Sequence, residues 1–196
     1  MRILLATSNS GKLREYRELA SGTMLDIDLL PNFRDFPAFE ESAPTFAENS
    51  AGKALHYSQF TSEVVLADDS GLVVPALGGA PGVHSARYAG PNATSEDRVR
   101  KLLREMEGKA GKERRARFVC VTTIARQGRA LAVVSDRAEG IIASAPRGAN
   151  GFGYDPVFCV TNDGRTYAEV SADEKNVASH RGGAFRRLLE LLISVK

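Results

Sequence analysis

The chain has few of the residues that mark specialised classes of protein. It contains 2 cysteines, 3 histidines and no tryptophan among 196 residues. Cys120 and Cys159 both lie within apolar runs, which favours buried thiols in a reducing compartment over a disulfide framework. His56, His84 and His180 are widely separated and belong to no CxxC or HxxxH pattern, which argues against a structural zinc site.

Long apolar runs and an excess of charge of one sign are also missing. No segment approaches the roughly 20 apolar residues of a membrane-spanning helix. The N-terminal stretch MRILLATSNSGK turns polar too early for the apolar part of a signal peptide. A net charge of +2 provides no field that would attract nucleic acid or membrane. With 43% hydrophobic and 26% charged residues, we expect one cytoplasmic globular domain over residues 1–196.

Hydrophobic periodicity predicts an α/β fold. Strands are expected at 3–7, 26–30, 64–67, 72–75, 116–126, 129–136, 140–144 and 156–160, the last ending in a turn at 162–164. Helices are expected at 12–20 and 45–60, and after two capping boxes that begin at Thr94 and Ser171. Gln127-Gly128 predicts a hairpin. We therefore predict a long mixed central sheet flanked by helices, with two lobes around a cleft.

The segment VVLADDSGLVV, residues 64–74, places two aspartates inside an apolar run. Asp68, Asp69, Ser70 and Gly71 are turn-forming residue types, so a turn between two strands is one interpretation. The other is a divalent cation, which removes the repulsion between adjacent carboxylates while leaving both ionised. The sequence alone leaves both interpretations open.

Two further carboxylates, Glu40 and Glu41, lie in a proline-punctuated loop at 31–44. If this loop folds back, either glutamate could hold Mg²⁺ together with Asp69, with several waters retained. The alternative is a solvated loop surface.

The segment TSNSGK, residues 7–12, follows a predicted strand and opens a helix. Its backbone N–H groups and the helix dipole would face one point, and Lys12 adds a positive charge, as in a phosphate site. It is not a Walker A loop, because the leading glycine and the Ser/Thr after Gly-Lys are missing. A plain strand–helix connection is the alternative.

Two glycine-containing segments suggest a site for a planar base. GANGFGYDP, residues 148–156, places two aromatics that we expect to be exposed beside flexible backbone, which suits stacking. In SHRGG, His180 and Arg181 could donate hydrogen bonds to a ring carbonyl. The alternative for residues 148–156 is a hairpin loop whose aromatic side chains pack beneath it. The alternatives for His180 and Arg181 are a residue at a helix boundary and a surface charge. The run RRAR at 114–117 is expected to be a solvated turn face.

Taken together, TxNxGK, ADDSGL followed by GGAPGVHSARYAG, GFGYDPVF, and EK with SHRG closely resemble the inosine/xanthosine triphosphate pyrophosphatase family. These motifs extend from the first strand to the last helix. The resemblance implies Mg²⁺-dependent hydrolysis of non-standard purine nucleotides (dITP, ITP, XTP) to the monophosphate and pyrophosphate, usually by a homodimer. A related pyrophosphatase acting on modified pyrimidine nucleotides or UTP, and a non-catalytic nucleotide-binding module, are the rival functions.

The resemblance also assigns residues. It implies that Asp69 activates water and that Asp69 and Glu40 or Glu41 bind Mg²⁺. Activation by Asp68 is the alternative if the geometry favours it. Phe152 is expected to stack on the base, with Lys175, His180 and Arg181 around the purine edge. The expected substrate-binding residues are Thr7, Ser8, Asn9, Ser10, Gly11, Lys12, Lys53, Ser70, Phe152, Gly153, Tyr154, Asp155, Lys175, His180 and Arg181. Ser8 stands where many members carry glycine.

Overall fold

The structure, a computed structural model, describes residues 1–160 and 164–194. Most of the turn predicted at 162–164 therefore lies outside the described residues. Within these ranges no helix is both long enough and apolar enough to cross a membrane.

Among the described residues, six strands form one mixed sheet in the order β2-β1-β3-β4-β5-β6. They are β1 (Arg2–Leu5), β2 (Asp26–Leu29), β3 (Val64–Val73), β4 (Arg115–Arg126), β5 (Arg129–Ile142) and β6 (Phe158–Cys159). β1 pairs in parallel with β2 and with β3, whereas β5 and β6 are antiparallel. The predicted α/β class and mixed central sheet are confirmed.

The helices are α1 (Ser10–Ala20), α2 (Phe46–Tyr57), α3 (Ser95–Glu105), α4 (Ala172–Ala178) and α5 (His180–Ser194). Both predicted capping boxes are present, Thr94 with Asp97 at α3 and Ser171 with Glu174 at α4. Residues 31–44 contain neither helix nor strand, as predicted.

Two strand predictions were wrong in the same way. β3 continues through residues 68–71 without a turn, and β5 is one strand where two were predicted. The turn at Gln127-Gly128 was predicted correctly. Both of its residues have positive φ, +49° and +74°, as a two-residue type I′ hairpin turn requires.

The chain divides into two compact units, and the first comprises Met1–Asp69, Cys120–Asp136 and the segment from Arg181 onward. Its sheet separates two apolar clusters, because alternate residues of a strand face opposite sides. Ile3 and Leu5 of β1 pack in a cluster with α1 and α5 side chains, whereas Leu4 packs with Ala54 and Tyr57 of α2. The helices that hold the site residues described below are thus fixed to both faces of the sheet.

The second unit comprises Ser70–Val119 and Arg137–His180. Its core contains Leu102 of α3 and Met106, which directly follows that helix, together with Phe118, Phe158 and Tyr167. The expected cleft between two lobes stays a prediction.

The expectation that the arginine run at 114–117 is only a solvated face was wrong for Arg114. Its guanidinium donates to the carbonyls of Ile142 at 2.7 Å and Ala143 at 2.6 Å. It also donates to Met106 and Lys109, just after α3, at 3.3 and 3.2 Å. Arg114 therefore ties the end of α3 to the end of β5.

Candidate functional site

Asp68 and Asp69 are neighbours in β3 whose carboxylates have different surroundings. Both are buried, with 2% and 7% of their surface exposed. Lys12 Nζ lies 2.8 Å from Oδ1 of Asp68, and Arg181 donates to Oδ2 from Nη2 at 3.0 Å and Nε at 3.3 Å. Burial raises the pKa of Asp68, but the two cations outweigh burial and hold its pKa far below the usual value. Asp68 is therefore a permanently ionised counter-ion, which does not suit the alternative expectation that it accepts a proton from water.

Asp69 has one carboxylate oxygen that receives no hydrogen bond from the described residues. Its Oδ2 is buried and has no hydrogen-bond partner among residues 1–160 and 164–194. Burial raises the pKa of Asp69 to about 6, and repulsion from Glu41 and Asp68 adds to the rise. Attraction to Lys12 and the nearby polar side chain of Asn49 lower the pKa and oppose this rise only in part. Asp69 is thus poised to accept a proton or a cation near neutral pH.

The carboxylates near Asp69 fit a hard divalent cation. A cation would satisfy the lone Oδ2 and cancel the repulsion from Glu41, and Mg²⁺ commonly uses only one or two carboxylates besides water. Glu41 is close enough to Asp69 to raise its pKa, whereas Glu40 is exposed. The structure therefore favours Glu41 over Glu40 as the second carboxylate. In the part of the chain that the structure describes, no three His, Cys, Asp or Glu side chains converge as a metal site. Any ion here would keep several water ligands.

Lys53 of α2 pairs with Glu41 in this structure. Its Nζ lies 2.5 Å from Oε1 of Glu41, and 14% of the lysine side chain is exposed. The resemblance implies that Lys53 faces the phosphates, and that role stays a prediction. The ion pair holds the lysine next to the carboxylates, where a triphosphate would compete with Glu41 for it.

The turn at residues 7–12 satisfies three of its backbone N–H groups internally. Asn9 caps α1, and its Oδ1 accepts from the backbone N–H groups of Gly11 at 2.9 Å and Lys12 at 3.2 Å. The Asn9 N–H in turn donates to Oγ1 of Thr7 at 3.1 Å. The sequence argument for an open cradle of backbone N–H groups was therefore wrong for these three donors. The exposed Ser8 and Ser10, the helix dipole and the Lys12 ammonium remain to attract an anion.

A pocket of about 570 Å³ lies beside this turn. It is lined by residues 7–10 and Leu13 on one side and by residues 29–35 on the other. Its size is sufficient for several phosphate groups, and its charged lining residues are Arg34 and Asp35, whose charges are opposite.

Arg181 lies in the interior of the first unit, although the resemblance implies a place at the purine edge. Only 1% of its surface is exposed, and besides Asp68 it contacts Oε2 of Glu15 at 2.5 Å. Burial lowers its pKa, but Asp68 and Glu15 more than compensate, so its pKa stays well above the usual value. In this structure Arg181 holds Asp68, and its contact with the base stays a prediction.

In the second unit, Asp155 organises the loop at residues 151–155. Its Oδ2 accepts from the backbone N–H of Phe152 at 2.7 Å and from Lys175 Nζ at 2.5 Å. Gly151 has φ +74°, and a Cβ there would lie 2.0 Å from the same Oδ2, so only glycine fits. The Lys175 ammonium lies 5.0 Å from the centre of the Phe152 ring. The half-buried Phe152 is thereby held beside a cation.

Of the two aromatics expected to be exposed in this loop, Tyr154 is buried. Its ring belongs to the core of the second unit, and its hydroxyl donates to the carbonyl of Ser85 at 3.0 Å. Burial raises the pKa of Tyr154 far above its usual value. Any contact of Tyr154 with a substrate would therefore come from its backbone.

His180 is buried against Phe118. The two rings are nearly parallel, with an interplanar angle of 8° and centroids 4.6 Å apart. Phe118 also contacts Phe158 edge-on, so the plane of the imidazole is set by the core of the unit.

Sequence reasoning missed several residues that organise these two clusters. Asn49, Glu15 and Phe118 are buried or nearly buried and touch predicted site residues. Glu15 could have been found from the sequence, because it lies among the apolar positions of α1 and a buried charge needs a partner. Asn49 and Phe118 gave no comparable signal. Ser70, which follows Asp69, is half-buried.

Comparison with known proteins gives matches over almost the whole chain. The model of the Ham1 family matches residues 3–191. The dITP/XTP pyrophosphatase of Geobacillus kaustophilus is 48% identical over 188 residues, which cover 96% of this chain and 92% of that protein. The dITP/XTP pyrophosphatase of Geobacter sulfurreducens is 44% identical over 191 residues, which cover 97% and 96%.

Two solved structures are similar throughout. The structure of a HAM1 protein from Coxiella burnetii matches with a TM-score of 0.85 and 42% identity, covering 99% of each chain. The Ham1 protein of Staphylococcus aureus gives a TM-score of 0.86 at 35% identity, covering 100% of each chain. On sequence and on fold, the chain belongs to the Ham1 family.

Proposed function

We propose that this protein is a Mg²⁺-dependent nucleoside triphosphate pyrophosphatase that converts dITP, ITP and XTP to the monophosphate and pyrophosphate. The observation that carries the proposal is the pair of adjacent aspartates, one neutralised by two cations and the other left with a buried, unpaired oxygen. Membership of a family whose relatives are dITP/XTP pyrophosphatases supports the reaction and is consistent with a divalent metal.

Asp69 acts as the general base in this mechanism. It takes a proton from the water that attacks the α-phosphorus, and the bond from that phosphorus to the oxygen bridging to the β-phosphorus breaks, releasing pyrophosphate. With a pKa of about 6, Asp69 is largely ionised at neutral pH yet remains a usable base. Asp69 and Glu41 would hold the Mg²⁺, which supplies charge neutralisation on the phosphate oxygens.

Lys12 and Lys53 position the triphosphate. Each lysine is already held by a carboxylate, Lys12 by Asp68 and Lys53 by Glu41. The first pair is buried and fixes the Lys12 ammonium next to Asp69, while the second is more exposed. The phosphates of a bound substrate would therefore contact lysine ammonium groups whose positions are already fixed.

The second cluster is assigned to the base. Phe152 provides a ring face, and Lys175 and His180 provide donors for the 6-oxo group of inosine and xanthine. Adenine has an amino donor at that position, which would leave buried donors unpaired, a mismatch that can give roughly 10⁴-fold or greater rejection. A homodimer, which the resemblance implies, and a place in the cytoplasm, which the composition favours, complete the proposal.

The test is release of pyrophosphate from ITP, dITP, XTP, ATP, GTP and UTP, each with Mg²⁺ and with a chelator. We expect rapid release from the first three with Mg²⁺, and much slower release from ATP and GTP. Preferential hydrolysis of UTP would indicate the pyrimidine-directed rival. Mg²⁺-independent nucleotide binding without pyrophosphate release would indicate a non-catalytic module, and equal rates for ITP and ATP would contradict the assignment of the base cluster.

A further inference from the structure

Gly52 lies in the interior of α2, where glycine is unfavourable. Glycine destabilises a helix interior relative to alanine, and Gly52 does not have the positive φ that would require it. Packing gives the reason. A Cβ at this position would lie 2.5 Å from Cζ and 3.0 Å from Cε2 of Phe39. The Phe39 ring therefore lies against the helix backbone at a point that only glycine leaves open.

Phe39 belongs to segment 37–43, which runs along α2 in the opposite direction. Four contacts define the register: Pro37 O with His56 Nε2 at 2.7 Å, the Phe39 ring with Gly52, Glu41 with Lys53 at 2.5 Å, and both backbone polar groups of Ala43 with Asn49 at 3.0 and 3.2 Å. The Phe39 N–H also donates to the Tyr57 hydroxyl at 3.2 Å.

The contacting residues of the segment are every second one, and the Ser42 N–H donates to the Glu40 carbonyl at 3.0 Å, which closes a tight turn around Glu41. The segment is therefore held in one register although it contains no helix or strand. Glu41 lies between the Phe39 contact and the Ala43 contact, so a shift at either one would move its carboxylate.

The same helix also contacts Asp69. Asn49, which is 1% exposed, holds Ala43 and lies close enough to the Asp69 carboxyl to lower its pKa. The positions of both carboxylates of the proposed cation site therefore depend on α2. Asp69 is linked to the helix through Asn49, and Glu41 through segment 37–43.

We propose that Gly52 and Phe39 are positioning residues for cation binding. The ring seated on Gly52 sets the register of segment 37–43, and this register sets the separation of the Glu41 and Asp69 carboxylates. The inference rests on the proposed function, since it takes these two groups as the cation ligands.

The experiment is titration of the full-length protein with Mn²⁺, with unbound Mn²⁺ followed by electron paramagnetic resonance. Gly52→Ala introduces a better helix former but also a methyl group that meets the Phe39 ring, so thermal stability can change even if the position has a purely structural role. A purely structural role predicts unchanged Mn²⁺ affinity, and Mn²⁺ affinity is therefore the deciding measurement. We expect Mn²⁺ affinity to fall by about 10-fold, the lower end of the loss typical for residues that orient metal ligands. Ala47→Ser, on an exposed part of the same helix, is the matched control and should bind Mn²⁺ like the wild type.

The double variant Gly52→Ala/Phe39→Leu removes the ring that the new methyl group would displace. It should recover part of the Mn²⁺ affinity that Gly52→Ala loses, whereas Phe39→Leu alone should lower affinity. Wild-type affinity in Gly52→Ala, or a double variant no better than Gly52→Ala, would overturn the inference while leaving the proposed function intact. A wild-type protein that binds no Mn²⁺ would overturn both the inference and the proposed cation site.

Discussion

Replacing Asp69 with asparagine should stabilise the metal-free protein while removing its activity. The carboxyl is 7% exposed, its Oδ2 has no partner in the described part of the chain, and its pKa is raised from 3.8 to about 6. The unfolded chain loses this proton more easily than the folded protein, so ionisation favours unfolding. The resulting loss of stability begins near pH 4 as the pH rises and is complete above about pH 7.

The size of the effect follows from the two pKa values. They differ by about two units, and each unit corresponds to about 1.4 kcal/mol, so ionised Asp69 lowers the free energy of unfolding by up to about 3 kcal/mol. Asparagine has a similar shape and no charge, and therefore avoids this loss. For a chain of this size, such a gain raises Tm by about 6–12 °C. Loss of the general base should lower kcat by ~10²–10⁴-fold.

Urea denaturation of both proteins in a chelator, at pH 7.5 and pH 4.5, measures the effect. The gain in Asp69→Asn should shrink by more than half at the lower pH, where the wild-type carboxyl is protonated. Asp68→Asn is the matched control, because it removes the anion between Lys12 and Arg181. It should destabilise the protein by about 3–5 kcal/mol, as for other broken buried pairs. The reasoning is refuted if both variants destabilise the protein, or if the Asp69→Asn gain does not depend on pH.

Three further predictions follow from the two clusters. Mn²⁺ affinity measured by calorimetry should fall as pH drops through about 6, because Asp69 must lose its proton to bind a cation; equal affinity at pH 5 and pH 8 would contradict this. Asp155→Asn should lower the free energy of unfolding by about 3–5 kcal/mol in urea titrations, because it removes the anion paired with the buried Lys175; a change within 0.5 kcal/mol would speak against that pair. Phe118→Leu should reduce the ratio of kcat/KM for ITP over ATP by about 2–10-fold, because the ring that orients His180 is lost. An unchanged ratio would show that Phe118 has no role in base selection.

Local signals in the sequence were sufficient for much of the fold. The capping boxes at Thr94 and Ser171 and the hairpin at Gln127-Gly128 each depend on residues within four positions of one another, and each was predicted correctly. The turn expected at Asp68 was wrong, because the continuous strand found there is stabilised by residues that are distant in sequence. Arg181, 113 positions away, together with Lys12 makes a buried aspartate acceptable inside a strand.

The same distinction applies to the candidate site. The residue types of the site could be recognised from motifs, and the structure places Lys12, Asp68 and Asp69 in one cluster. Their roles could not be separated by sequence, because Asp68 and Asp69 differ only in the partners that folding supplies. The interior position of Tyr154 likewise depends on Ser85, which is 69 positions away in sequence.

The register between β1 and β3 has a consequence for chemistry. Ile3 is opposite Val64, Leu4 opposite Val65 and Leu5 opposite Leu66, and this alignment decides which aspartate faces the two cations. A slip of β3 by a single residue would turn every side chain of the strand to the other face. One aspartate would then take the place of the other, and Ser70 or Ala67, depending on the direction of the slip, would fill the remaining place. The backbone pairing of an inner strand thus assigns the base and the counter-ion to two chemically identical residues.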